Sequence, residues 1–189
     1  NAELIDDWYG FARSHAERGY AVLMAEYRDY GRSGGSPPQE ALVEDAAYFL
    51  EQAKADHRID GDRVGFVGMS IGTSVLAQLA VQDRPKAMVM IVPPARLDTV
   101  FWQFAAPPFL MRHPFRTDLA IQELDLPVLI LSNSRDGIIP QGDGPLLHEL
   151  APDSTYMEFD GTHNVLGSEA EYRRRNDAIE SFLDERLQP

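Results

Sequence analysis

The distribution of apolar and polar positions predicts helices alternating with strands. Residues 3–17 carry apolar side chains at helical spacing, which predicts an amphipathic helix that Gly19 ends. Short continuous apolar runs bounded by turn residues are typical of strands that are buried on both faces. Such runs lie within residues 20–25, 63–69, 86–92 and 126–131, and a fifth strand is predicted at residues 155–159.

Helical patterns separate these predicted strands. One predicted helix follows Pro38, the next begins at Ile71, and two more lie at residues 143–151 and 169–187. Strands that alternate with helices indicate βαβ units, so we predict the α/β class with a mostly parallel sheet flanked by helices. The length of 189 residues favours a single domain over residues 1–189.

Composition and charge exclude several classes of partner. The formal net charge is -13, and the basic cluster at residues 173–175 is too small for nucleic acid or for a polybasic membrane anchor. Cysteine is absent and the His and carboxylate spacings do not resemble a metal site, so we predict no metal. The sequence does not indicate an oligomeric state. A cytoplasmic location is favoured, although a signal peptide or membrane anchor before Asn1 would not be visible.

The stretch Gly68-Met69-Ser70-Ile71-Gly72 lies between a predicted strand and a predicted helix. In this context the G-x-S-x-G pattern indicates a sharp turn that exposes a nucleophilic serine at the sheet edge. Glycines two residues before and after Ser70 avoid clashes within the turn. The amide of Ile71 then points at an oxygen that becomes negatively charged. The alternative is a glycine-rich strand end without chemistry.

A serine nucleophile needs a base, and that base needs an orienting carboxylate. Asp136 follows the predicted strand at 126–131, and His163 follows the strand at 155–159. Taken alone, Asp136 is as typical of a turn residue before glycine as of a catalytic acid, and His163 is as typical of a polar residue beside a helix as of a catalytic base. Their order Ser70, Asp136, His163 with each at a strand end favours a catalytic triad. Asp125 and Asp160 are rival acids, but Asp125 precedes its strand and Asp160 is better placed to shape a turn.

Further motifs accompany these residues: Asn1-Ala2, the loop at residues 27–37, Ser134-Arg135-Asp136-Gly137-Ile138-Ile139-Pro140 and Asp160-Gly161-Thr162-His163-Asn164. With the stretch around Ser70, they make the chain resemble the α/β-hydrolases. Within that superfamily it is similar to serine hydrolases with a compact lid, which include bacterial acyl esterases and hydrolases related to protein depalmitoylases. The motifs span essentially the whole chain. Two positions depart from the family pattern, Thr73 after the elbow and Asp29 where glycine is common.

The resemblance implies features that the residues alone do not. A strand ending in His-Gly precedes Asn-Ala in this family, and the residue after that His-Gly supplies a second oxyanion-hole amide, which here matches Asn1. We therefore expect the fold to be incomplete at its N-terminus and the biological chain to continue upstream by at least this strand. Contact with a membrane is expected only if that upstream part supplies it.

The segment at residues 95–125 is where this fold commonly inserts a cap over the serine. Its aromatic and apolar side chains are candidates for the lining of an acyl pocket: Phe101, Trp102, Phe104, Phe109 and Met111. The competing interpretation, slightly favoured, is a helix that covers the sheet with these side chains in the core. The two interpretations are compatible if one face of the cap packs on the sheet and the other face lines a pocket.

These observations predict a serine hydrolase that cleaves a small-molecule carboxylic ester or thioester through an acyl-enzyme. Ser70 is the expected nucleophile, His163 the base and Asp136 the orienting acid, and no cofactor is needed. A serine peptidase of the same fold remains an alternative, as does a catalytically idle binding protein. Acyl length and leaving group are not readable from the residues.

Overall fold

The strands predicted after residue 62 form a parallel sheet in a computed structural model, which describes residues 4–36, 38–102 and 114–187. Within this described part the strands follow one another in the order β1 (Gly65–Met69), β2 (Ala87–Ile91), β3 (Val128–Asn133) and β4 (Ser154–Phe159). Neighbouring strands are parallel throughout. The carboxyl ends of β1, β3 and β4 therefore lie along one edge of the sheet.

Helices connect the strands and cover the sheet. In chain order they are α1 (Tyr9–Glu17), α2 (Gln39–Ala55), α3 (Ile71–Gln82), α4 (Leu97–Trp102), α5 (Thr117–Ala120), α6 (Asp143–Leu150) and α7 (Glu169–Leu187), with 3₁₀ turns at Ile5–Trp8 and Ile121–Glu123. α3 packs on β1 and β2, α6 on β3 and β4, and α7 on β2. Every residue of β2 is buried, as its continuous apolar sequence predicts. The predicted parallel sheet flanked by helices is confirmed.

The chain divides into two compact units, Asn1–Gly61 and Asp62–Pro189, which we call the N-terminal and C-terminal units. All four strands named above belong to the C-terminal unit. The single domain over residues 1–189 and the additional upstream strand stay predictions. None of the described helices combines the length and the apolar character that crossing a membrane requires.

The strand predicted at residues 20–25 is wrong. This segment has no strand assignment, and no strand lies among the described residues of the N-terminal unit. Val22 and Leu23 are 38% and 56% exposed, so the run is not buried on both faces. An apolar run predicts burial, but a strand also needs a neighbouring strand to bond its main-chain groups.

The loop after this segment contains Asp29, at the position where the resemblance expects glycine. Asp29 has φ 65°, a left-handed conformation that glycine adopts freely and aspartate tolerates. The following residue, Tyr30, donates its amide to the Tyr27 carbonyl oxygen at 3.1 Å. The turn therefore keeps a glycine-like backbone with a carboxylate at its tip.

Main-chain contacts join two described parts of the segment at residues 95–125, which is expected to form a cap. Arg96 and Arg116 form an antiparallel bridge, and the Leu97 amide donates to the Pro114 carbonyl oxygen at 3.0 Å. Each of these arginines forms a paired hydrogen bond with the aspartate two residues on, Asp98 or Asp118. The main chain at Arg96 and Leu97 is thus held against the main chain at Pro114 and Arg116. Residues 103–113 lie outside the described residues, so the cap itself stays a prediction.

Candidate active site

Ser70 lies in the turn between β1 and α3 in a strained backbone conformation. Its φ is 52° and its ψ is -124°, a region that residues with a side chain rarely adopt. The Ser70 amide donates to the Ile91 carbonyl oxygen at 2.9 Å, which extends the β1–β2 pairing by one residue. Thr73 donates to the Ser70 carbonyl oxygen through its amide at 3.0 Å and through its hydroxyl at 2.6 Å. These hydrogen bonds hold the strained residue on both sides.

Gly68 allows the chain to turn this sharply. A Cβ atom at Gly68 would lie 2.8 Å from main-chain atoms of both Gly72 and Thr73. Main-chain atoms cannot move aside as the end of a flexible side chain can, so the turn would have to open. The structure therefore gives a steric reason for a glycine at position 68.

We expect Gly68→Ala to lower the free energy of unfolding by about 1–3 kcal/mol, the usual cost of overpacking a tight site. Urea denaturation measures this loss. Gly137→Ala is the matched control, because a Cβ there meets no heavy atom of the described residues within 4 Å. Equal stability of the two variants would contradict the steric argument.

The loops after β3 and β4 carry Asp136 and His163. In the first loop, the Asp136 amide donates to the Asn133 carbonyl oxygen at 3.1 Å and closes a turn. In the second, the Thr162 amide donates to the Val165 carbonyl oxygen at 2.8 Å beside a Gly161–Leu166 bridge. Both loops therefore start at the same sheet edge as Ser70, and a main-chain hydrogen bond closes a turn in each.

His163 lies between the other two predicted side chains. His163 Nδ1 is 2.7 Å from Asp136 Oδ2, and His163 Nε2 is 3.1 Å from Ser70 Oγ. An ionised carboxylate only accepts hydrogen bonds, so Nδ1 carries the proton of the neutral ring. Nε2 then accepts the hydroxyl proton of Ser70. The structure brings the three residues into one chain of hydrogen bonds.

Asp136 is held in its ionised form by hydrogen bonds. Burial raises the pKa of this carboxyl group, but hydrogen bonds from His163 and from the amides of Ile139 and Ile138 outweigh it, so the pKa lies below its ordinary value. The two amides donate to Asp136 Oδ1 at 2.9 and 2.8 Å, which leaves Oδ2 for His163. The side chains of His163 and Asp136 are 10% and 4% exposed, so solvent screens their interaction little.

The rival acids have other partners. Asp160 accepts two hydrogen bonds from Arg135, at 2.8 and 3.0 Å, and this pair joins the loop that carries Asp136 to the loop that carries His163. Asp125 is 90% exposed and lies 3.9 Å from Arg84. The carboxylate that the structure places against His163 is therefore Asp136.

The remaining predicted site residues are only partly described. Ile71 is the first residue of α3, and no acceptor for its amide lies among the described residues. Phe101 and Trp102 end α4, but their side chains are not described. Asn1, Phe104, Phe109 and Met111 lie outside the described residues. The second oxyanion-hole donor and the acyl pocket stay predictions. The described residues also include no cluster of His, Asp or Glu arranged to hold a metal ion.

Asp143 is a buried carboxylate near the sheet edge where Ser70 lies. Its Oδ2 accepts the Ala95 amide at 2.8 Å and so ties the start of α6 to the loop after β2. Burial raises the pKa of Asp143, the Ala95 amide lowers it and the charge of Asp118 raises it, so that the pKa lies above its ordinary value. A group with a raised folded-state pKa contributes stability at low pH that is lost as the pH rises through that pKa.

We therefore expect Asp143→Asn, which keeps an acceptor for the Ala95 amide, to raise the free energy of unfolding at neutral pH by on the order of 1 kcal/mol. The gain should disappear below about pH 3, where the native carboxyl group is protonated in both states. Urea denaturation at the two pH values measures the difference. Asp125→Asn, at an exposed site, is the control and should show no such change. A gain that is independent of pH would contradict the titration argument.

The site contains one polar residue that the sequence did not single out. Asn133 is the last residue of β3 and only 4% exposed, and its side-chain amide donates to the Thr162 carbonyl oxygen at 2.7 Å. A polar residue at the end of a strand whose first four residues are apolar was the available signal. Its partner lies 29 residues further along the chain, which the pattern does not indicate.

Comparisons with known proteins show which family and which folds the chain is similar to. A family model described as alpha/beta hydrolase fold matches residues 2–124, a range that ends before Asp136 and His163. The alpha/beta hydrolase domain-containing protein WAV2 of Arabidopsis thaliana is 27% identical over 191 residues, which cover 87% of this chain and 62% of WAV2. The lysophosphatidylserine lipase ABHD12 of Danio rerio is 27% identical over 160 residues, which cover 72% of this chain and 41% of that protein.

A solved structure shares the fold over nearly the whole chain. The monoacylglycerol lipase of Paleococcus ferrophilus superposes with a TM-score of 0.75 at 17% sequence identity, covering 97% of this chain and 91% of that one. The chain spans less than two thirds of the length of either curated relative, WAV2 or ABHD12.

Proposed function

The chain belongs to the alpha/beta hydrolase fold family, and we propose that it is a serine hydrolase acting on a carboxylic ester or thioester. The observation that carries the proposal is the chain of hydrogen bonds from Ser70 through His163 to Asp136, with distances of 3.1 and 2.7 Å. A serine hydroxyl becomes a nucleophile when an adjacent base takes its proton. The strained turn at Ser70 supports the same assignment, because backbone strain of this kind clusters at functional sites.

In the first half of the reaction, Ser70 Oγ attacks the acyl carbon of the substrate. Its proton moves to His163 Nε2, and the charged imidazolium is stabilised by the ionised Asp136. The bond between the acyl carbon and the leaving oxygen or sulfur then breaks. His163 gives its proton to that atom, and the acyl group remains on Ser70 as an ester.

In the second half, water takes the place of the leaving group. His163 Nε2 accepts a proton from the water, whose oxygen attacks the acyl carbon of the acyl-enzyme. The bond to Ser70 Oγ breaks, and the proton returns from His163 to Ser70. The product is a carboxylic acid, and the residues are back in their starting protonation states without a cofactor.

The negative charge of the tetrahedral intermediate needs main-chain donors. The Ile71 amide, at the N-terminus of α3, follows the nucleophile directly and is one proposed donor. The amide of Asn1 is the other. Loss of one such donor in comparable sites costs about 3 kcal/mol of transition-state stabilisation.

The names of two similar proteins favour an oxygen ester among the substrates left open. One is a lysophosphatidylserine lipase and the other a monoacylglycerol lipase. Both names denote lipids with an acyl chain on a glycerol backbone. We therefore place monoacyl glycerol esters first among the substrates to be tested, ahead of thioesters.

Labelling of the full-length protein with a fluorophosphonate probe tests the proposal, since such probes react with an activated serine. We expect labelling at neutral pH that disappears in Ser70→Ala, together with hydrolysis of p-nitrophenyl esters and of a monoacylglycerol. Folded protein that is not labelled would refute the hydrolase and favour a binding protein. Turnover of peptide amides at a rate equal to that of esters would favour a peptidase.

A further inference from the structure

Asn133 lies where the two loops of the proposed triad begin. It ends β3, and its register partner Phe159 ends β4. The residue is 4% exposed, so its side-chain amide is shielded from water and needs partners within the protein. Asp136 and His163 follow these two strands by only a few residues.

Asn133 contacts both loops through different atoms. Its side-chain Nδ2 donates to the Thr162 carbonyl oxygen at 2.7 Å and lies 3.5 Å from the carbonyl oxygen of His163. Its own main-chain oxygen accepts the Asp136 amide at 3.1 Å. One residue therefore links the turn that carries the proposed acid to the main chain that carries the proposed base.

The neighbouring links between these loops leave this role to Asn133. The Arg135 amide donates to the Gly161 carbonyl oxygen at 2.8 Å, but this bond lies before Thr162 and does not hold His163 itself. The Arg135–Asp160 ion pair has side chains that are 58% and 59% exposed, and exposed pairs restrain geometry weakly. The amide of Asn133 is buried, and among these links between main chain or side chains of the two loops it reaches furthest along the second loop, to the carbonyl oxygens of Thr162 and His163.

We propose that Asn133 is a positioning residue for the reaction: its amide fixes the main chain of Thr162 and His163 against the Asp136 turn and so aligns the imidazole. This inference rests on the proposed hydrolase function. His163 must face Asp136 with one nitrogen and Ser70 with the other, so a small shift of its main chain misaligns both bonds. Misplacement of a reacting group by about 1 Å can reduce the rate by about 100-fold.

Only a donor suits this position, because both facing atoms are carbonyl oxygens. Asn133→Asp keeps the shape of the side chain but replaces the Nδ2 donor with an acceptor. Asn133→Ala removes the group altogether, and Asn133→Ser keeps a hydroxyl donor on a shorter side chain. The three variants therefore separate the hydrogen bond from the volume of the residue.

We expect kcat for ester hydrolysis to fall by about 10- to 100-fold in Asn133→Asp and Asn133→Ala, with KM within about threefold of its original value, because alignment and not substrate binding is lost. Asn133→Ser should recover part of kcat. The activity ratio of the Asp variant to the Ala variant should rise as the pH falls, since a protonated carboxyl group can donate to the Thr162 oxygen.

Thr117→Val is the matched control. It removes a fully buried hydroxyl that donates to Ser74 Oγ at 2.8 Å between α5 and α3, and it should leave kcat within about twofold. A folded Asn133→Asp variant with unchanged kcat, or an equal loss in Thr117→Val, would overturn the positioning role. If the folded wild-type protein is neither labelled by fluorophosphonate nor active, the proposed function fails and this role with it. Active wild-type protein with fully active Asn133 variants overturns the positioning role alone.

Discussion

Replacing Ser70 with alanine is expected to lower kcat for ester hydrolysis by about 10⁶-fold, since loss of a serine nucleophile in comparable triads costs about as much as loss of the whole triad. His163 would then have no hydroxyl from which to take a proton, and no acyl-enzyme would form. The same substitution should abolish fluorophosphonate labelling. Steady-state kinetics and intact mass after labelling measure the two effects.

Ser74→Ala is the appropriate control for this substitution. Ser74 lies one turn of α3 further along and is also buried, but its hydroxyl is bonded to Thr117 and not to His163. It should keep its activity and its labelling, with a stability loss of about 1 kcal/mol from the broken hydrogen bond. The nucleophile assignment would be contradicted if Ser70→Ala retained labelling, or if Ser74→Ala lost it.

The residues of the proposed triad are predictable because their positions follow from local rules. The turn at Ser70 is so tight that a side chain at position 68 would clash with the main chain. The glycine that this requires leaves a recognisable spacing in the sequence. Asp136 and His163 each follow a predicted strand, and parallel strands bring their carboxyl ends to one edge. Local signals and a single topological rule are therefore sufficient to predict that these side chains lie close together.

Other features depend on partners that are distant in the sequence. The segment at residues 20–25 has the apolar pattern of a buried strand, but the pattern contains no information about a pairing neighbour, and the structure shows no strand there. Asn133 has a role because Thr162 comes within 2.7 Å of its amide, although 29 residues separate them. Such contacts follow from the packing of the loops and become visible only in three dimensions.

Asp136→Asn is expected to lower kcat by about 10⁴-fold through the tautomer of His163, while the fold is kept. The amides of Ile138 and Ile139 donate to Asp136 Oδ1, so in the variant they select the carbonyl oxygen of the new amide for that position. The NH₂ group then occupies the place of Oδ2 and donates to His163 Nδ1. The ring proton moves to Nε2, which points a donor at Ser70 and can no longer accept its proton.

Asp160→Asn is the control that separates this effect from the loss of any carboxylate near His163. Asp160 is 59% exposed and paired with Arg135, so its substitution should change kcat by less than about threefold. In the wild-type protein the lowered pKa of Asp136 contributes stability that is present at neutral pH and lost as the pH falls through that pKa. Asp136→Asn should lack this acid-dependent part in urea denaturation below about pH 4. Equal losses of kcat in the two variants would contradict the assignment of Asp136 as the orienting acid, because the geometry predicts that only one of these carboxylates sets the tautomer of His163.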